Sequence, residues 1–115
     1  MTTESPIACN VTPFTPAERE RWQMLGAEWR TRVSEIRELP DGYALRLAPD
    51  ADTILKAAEW MTLDRLCCPF MSFALAIEAE GAAVWLRLTG RAGTKELIAS
   101  AGRSEAPVTI LLRRR

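Results

Sequence analysis

The chain has 115 residues, 48% hydrophobic and 26% charged, a length and balance that suit one globular domain with its own core and exclude a disordered chain. Its 15 basic and 15 acidic side chains cancel, so no long-range field gathers nucleic acid or an anionic membrane around it. Histidine is absent, which removes Ser-His and Cys-His catalysis and His-ligated zinc; three cysteines, two of them adjacent, make a poor disulfide framework, and reduced thiols are expected.

Residues 1–13 read as an extended N-terminal segment. Met1 to Val11 shows no basic stretch followed by an apolar run, and nowhere do about 18 apolar residues follow one another, so the expectation is a cytoplasmic protein without a membrane span. Thr15, Pro16 and Glu18 then supply an N-cap, a proline at the first helical position and the return partner of a capping box. The helix they start carries Trp22, Leu25, Trp29 and Val33 at spacings of three and four and is expected to end near Thr31.

From Val33 to Ala48 the period changes to that of a β-hairpin. Pro40-Asp41-Gly42 forms the turn, and Tyr43, Leu45 and Leu47 alternate with Ala44 and Arg46. Asp50 or Asp52 caps a second helix, whose predicted apolar face is Ile54, Leu55, Ala58, Met61 and Leu66 and whose stop is Pro69. A second hairpin follows, with Phe73, Leu75 and Ile77 on one strand, Glu80-Gly81 at the turn, and Val84, Leu86 and Leu88 on the other. Thr94 is expected to cap a short third helix ending before Gly102, and 103–115 reads as a tail or, through Val108 to Leu112, an extra strand. The order αββαββα predicts one α+β domain spanning 1–115. Its two hairpins join in an antiparallel sheet of four strands, five with the terminal one, and the helices pack on one face.

Cys67 and Cys68 sit where the second helix meets the second hairpin, a junction that can expose one thiol and bury the other. Adjacent Cα atoms lie about 3.8 Å apart, below the roughly 4.4–6.8 Å of ordinary disulfides, so a stable bridge within the pair is not expected. Three readings remain for these thiols. Soft ions such as Hg(II), As(III), Cu(I) or Zn(II) suit them, with Cys9 as a third ligand if the chain folds back, although the spacing is not that of a zinc site. Redox chemistry uses the same atoms, with Cys9 as the resolving thiol. Finally, buried cysteines can simply fill core as small hydrophobes.

Other constellations carry less chemistry. Thr89-Gly90-Arg91-Ala92-Gly93-Thr94-Lys95 has glycines and a lysine but not the P-loop order, so it reads as a strand-to-helix loop. Asp64, Glu59, Glu78 and Glu80 offer no evident acid and base pair, most of them falling on solvated faces. Trp22, Trp29, Trp60 and Trp85 read as core or interface residues, and Arg113, Arg114 and Arg115 as a frayed basic end.

Ser5-Pro6-Ile7-Ala8-Cys9-Asn10, Glu59-Trp60 and Leu63 through Leu75 together resemble an uncharacterised bacterial small-protein family with an early A-C-x-L/V and a later E-x-x-C-C-x-F-x-x-F-x-L. Asp64 stands in the place of that glutamate, and the resemblance covers about residues 5 to 100. Similar segments occur attached behind the DNA-binding domains of MerR-type regulators, a group that often senses metals or oxidants; no helix-turn-helix precedes the segment in this sequence. The resemblance marks Cys9, Cys67, Cys68, Phe70 and Phe73. Together with the thiols it points to a small thiol-containing sensor or binding domain for soft metal or metalloid ions or oxidants, with a regulator protein, or a homodimer through the helix stripe or a free sheet edge, as partner and no nucleic acid bound by this chain alone. The alternative is a non-catalytic structural or dimerisation module with core cysteines; an enzyme ranks last, because no base or oxyanion stabiliser accompanies a cysteine nucleophile.

Overall fold

A computed structural model describes residues 5–104. The elements run α1 (Pro16–Arg30), β1 (Val33–Leu39), β2 (Gly42–Leu47), α2 (Ala51–Cys67), β3 (Met71–Ile77), a 3-10 turn (Ala79–Gly81), β4 (Val84–Gly90) and α3 (Thr94–Ser104). This is the αββαββα order expected from the sequence. The strands form one antiparallel sheet in the order β1-β2-β4-β3, so each hairpin contributes one inner strand, β2 or β4, and the two inner strands pair with each other. The fifth strand anticipated at Val108 to Leu112 lies outside the described residues.

Local chemistry accounts for most boundaries. The Thr15 hydroxyl accepts from the Glu18 N–H, and the Glu18 carboxylate accepts from the Thr15 N–H, closing the capping box that starts α1. Asp50 rather than Asp52 caps α2, its carboxylate accepting from the Thr53 N–H at 2.7 Å. Asp52, within the first turn, pairs with Arg32 and Lys56. Gly42 opens β2 where β4 passes so closely that a Cβ would overlap the Leu88 carbonyl, so no larger residue fits there without shifting the β2–β4 pair.

Three expectations are corrected. Val33 begins β1 instead of continuing the α1 stripe, and a bulge between Val33 and Glu35 resets the strand so that both Val33 and Ile36 pack on the core. Thr94 does not cap α3: it is the first helical residue, fully buried, with its hydroxyl held against Gly90. The helix it begins also runs past Gly102 to Ser104.

The third correction concerns α2. Its buried residues are Thr53, Ala57, Trp60, Asp64 and Cys67, a stripe at alternating spacings of four and three, while Leu55 of the predicted face is 68% exposed. Apolar character alone misjudged the rotation of this helix, because its inward stripe ends in a carboxylate and a thiol.

All three helices cover one face of the sheet. Leu25 and Trp29 of α1, Ala57 and Trp60 of α2, and Ile98 and Ala99 of α3 meet Ile36, Tyr43, Leu45, Leu47, Val84, Leu86 and Leu88 in one core. Trp29 and Trp60 pack edge to face at 5.0 Å, and Trp60 meets Phe73 of β3 at 6.0 Å. A bidentate Arg21–Glu59 pair, at 2.9 and 2.7 Å, links α1 to α2 on the solvent side. On the opposite face Trp85 is buried beneath the Arg37 guanidinium, 4.5 Å from its ring, beside Ala44, Ala76 and Ala83.

The observed rotation of α2 predicts unequal costs for two large side chains on that helix. Trp60→Ala should lose about 3–5 kcal/mol of stability. Leu55→Ala should stay within about 0.5 kcal/mol of the parent in urea denaturation, as expected of an exposed site.

Candidate functional site

Helix α2 ends in the thiol pair. Cys67 is its last residue and Cys68 its C-cap, with an N–H that bonds back to the Asp64 carbonyl at 2.8 Å. Pro69 cannot extend the helix, and the chain turns into β3 with the Met71 N–H on the Cys68 carbonyl at 3.1 Å. Both sulfurs point inward, Cys67 at 0% and Cys68 at 2% exposure, in a small cluster with Phe70 that Ile7, Phe14, Trp22, Met71 and Leu97 surround. The junction, which could have exposed one thiol and buried the other, buries both. Phe73 packs on Trp60 in the main core instead of covering the sulfurs.

The exposed thiol is Cys9, on the N-terminal segment that straps across the end of α2. The Asn10 N–H donates to the Cys67 carbonyl at 3.0 Å, one of the carbonyls that a helix terminus leaves without an intrahelical partner. Asn10 in turn accepts from the Thr12 N–H and hydroxyl at 3.1 and 2.6 Å, which stiffens the strap. Arg91 donates to the Ser5 carbonyl, Ile7 lies against Gly93, and the Phe14 ring tilts onto Trp22 at 5.4 Å.

Strap and helix end bring the three predicted ligands together. Cys9 Sγ lies 3.1 Å from Cys68 Sγ, Cys67 Sγ lies 3.4 Å from Cys68 Sγ, and all three sulfurs fall within 4.8 Å of one another. The cysteines are free. Such a trio of soft donors can hold a metal ion.

Asp64, which fills the motif's glutamate position but otherwise reads in the sequence as one of several carboxylates without an evident partner, lies beside the thiols. It is 4% exposed, accepts from Trp22 Nε1 at 2.9 Å, and its Oδ1 lies 3.5 Å from Cys67 Sγ. The Cys67 thiol is the donor in that contact. Burial pushes the Asp64 carboxyl up to about 6, a rise that the hydrogen bonds from Trp22 and Cys67 only partly offset. The signal that could have found it is positional: Asp64 continues the stripe of Ala57 and Trp60 toward Cys67, so burying that stripe buries the carboxylate.

The thiols differ sharply in acidity. Hydrogen bonding from Cys67 and Cys68 pulls Cys9 down to about 3, with the 3.1 Å Cys68 contact the direct one. Cys67 is drawn down by Cys68, but its interaction with Cys9, desolvation and the Asp64 charge outweigh this and push it up. Donation to Cys67 and Cys9, followed by desolvation, pushes Cys68 up as well. The trio titrates as a coupled group in which charge is favoured on the exposed strap thiol, with the Cys68 thiol its direct hydrogen-bonding neighbour.

Comparison with protein-family models, curated proteins and solved structures gives no match to this chain. Two of the other motifs weighed in the sequence are engaged in ion pairs. Lys95 of the glycine-rich loop pairs with Glu38 at 2.9 Å and lies over the Tyr43 ring, which ties α3 to the first hairpin. Glu59 is bound to Arg21. Among the described residues no helix is long and apolar enough to cross a membrane.

The buried carboxyl predicts a stability profile with a definite sign. Its value rises from 3.8 to about 6 on folding, so the folded chain holds the proton more tightly. The contribution, about 3 kcal/mol for two units, is full below pH ~4 and is lost as pH rises through ~6. Urea denaturation from pH 4 to 7 should show the stability of the parent relative to Asp64→Asn falling by this amount, because both chains keep the other titrating groups and the amide oxygen can still accept from Trp22.

Proposed function

We propose that this chain is a small thiol-based binding domain for soft metal or metalloid ions, with Cys9, Cys67 and Cys68 as the ligands. The observation that carries this reading is the convergence of an exposed thiol from one end of the chain onto a buried vicinal pair, with sulfur separations of 3.1 and 3.4 Å. Cysteines serving only as core filler would not need a third, exposed thiol held against them by a stiffened strap. Ligand exchange also has an output, because an ion bound by all three sulfurs ties the strap to the end of α2. The resemblance to segments carried by MerR-type regulators supports reading that output as a signal to a partner regulator or to a second copy of the chain.

The test is a titration of the fully reduced chain with Hg(II), As(III), Cu(I) and Zn(II) in excess competing monothiol, following thiolate-to-ion absorption. One ion per chain is expected. Both Cys9→Ser and Cys67→Ser/Cys68→Ser should weaken binding by at least about 100-fold, the upper end of what even outer-shell changes cost at metal sites. Equal affinities in the parent and the variants would remove the shared site.

The 3.1 Å contact favours a second reading, oxidant sensing. A peroxide would convert the Cys9 thiolate to a sulfenic acid with release of hydroxide. The Cys68 thiol would then displace water to form the Cys9–Cys68 disulfide. Peptide mapping after treatment with hydrogen peroxide should find that bridge, with Cys67 left reduced. A Cys67–Cys68 bridge, or sulfenic acid that persists on Cys9, would count against Cys68 as the resolving thiol.

A further inference from the structure

Resting on the three-thiol reading, we infer that the site's own ligand is a trivalent, pyramidal metalloid centre, arsenic(III) or antimony(III), bound by three sulfurs as a neutral complex. Two independent features lead there, the first of them geometric. For ion–sulfur bonds of about 2.3 Å, two sulfurs stand ~4.6 Å apart across a linear ion, ~4.0 Å around a trigonal planar one and ~3.8 Å in a tetrahedron; they close to ~3.3 Å only where bond angles approach 90°. Two of the three edges, the thiol contacts at 3.1 and 3.4 Å, are as short as the last case requires, the shape imposed by a stereochemically active lone pair. The third edge, Cys9 to Cys67, is bounded only at 4.8 Å, so the exposed strap has to close onto the buried helix end for a pyramidal centre to bind.

The second feature is charge. Cys67 and Cys68 are buried at the C-terminal end of α2, where the helix dipole is negative, and the Asp64 carboxylate lies 3.5 Å from Cys67 Sγ. Three thiolates around a divalent ion leave a net charge of minus one, which such surroundings oppose and burial makes costly. Three thiolates around a trivalent metalloid leave none. The exchange is As(OH)3 plus three thiols giving As(SR)3 plus three waters: three As–O and three S–H bonds break, and three As–S and three O–H bonds form, with no change of oxidation state. Where Cys9 begins as a thiolate, solvent supplies the missing proton. A tetrahedral ion would need a fourth donor, and among the described residues no other Cys, Asp or Glu groups with the three thiols.

The inference is tested on the full, reduced chain with arsenite, and with Zn(II) as competitor, by native mass measurement and by counting alkylatable thiols. Bound arsenite should add the mass of one arsenic less three hydrogens, protect all three cysteines and hold the site against excess Zn(II). Cys9→Ser, an exposed change that leaves the core intact, should lower arsenite affinity by at least about 100-fold and leave only two thiols protected in the residual adduct. An adduct of the parent that protects two thiols, or displacement of arsenite by equimolar Zn(II), would overturn the pyramidal assignment and leave the three-thiol reading standing. Failure of Hg(II), Cu(I), Zn(II) and arsenite alike to distinguish the parent from its cysteine variants removes both.

Discussion

The hydrogen bond from the Asn10 N–H to the Cys67 carbonyl is the contact on which the site depends. A helix end leaves carbonyls without partners, and here one of them is satisfied by a backbone donor from more than fifty residues earlier in the chain. The bond sets the strap at the height of the last helical turn, and Cys9, one residue before Asn10, is thereby brought to the buried pair. Ile7 and Phe14 anchor the strap in the small apolar cluster on either side of that point.

The sheet gives this arrangement a rigid base. Both hairpins place alternate residues on the helix face, and the shared core of Leu25, Trp29, Trp60, Leu45 and Leu86 fixes how α1 and α2 lie on it. Once α2 is set with Trp60 inward, helical geometry carries Asp64 and Cys67 to the same side. Trp22, on α1, then meets Asp64 from the neighbouring helix, so the packing of α1 on α2 also supplies the donor that a buried carboxylate requires. Structural and chemical roles are joined in these residues: the stripe that builds the core ends in the site.

Electrostatics sets the character of the thiol trio. A negative helix end, a nearby carboxylate and two buried sulfurs resist the build-up of anionic charge, while the exposed Cys9 is stabilised as a thiolate by its neighbours. The same sulfurs can therefore give up one proton readily and the others only when something replaces them. Ligand exchange with a soft centre and disulfide formation both do so, and both join the strap covalently or coordinatively to the helix.

Much of the architecture was legible in local sequence because its signals are local. The capping box at Thr15 and Glu18, the Pro40-Asp41-Gly42 turn, the Pro69 stop and the alternation along Tyr43 to Leu47 each act over a few residues and specify an element whatever lies around it. From these the αββαββα order and the joined hairpins follow. Cys9, Cys67 and Cys68 were also identifiable by residue type, as the three thiols in a chain without histidine. Tertiary packing alone decided the bulge that turns Val33 and Ile36 to the same side, the rotation of α2 that exposes Leu55 and buries Asp64, and the meeting of Cys9 with the pair. Those outcomes depend on which face of a helix a distant sheet selects and on where a strap finds an unpaired carbonyl, and neither is encoded in the spacing of neighbouring residues.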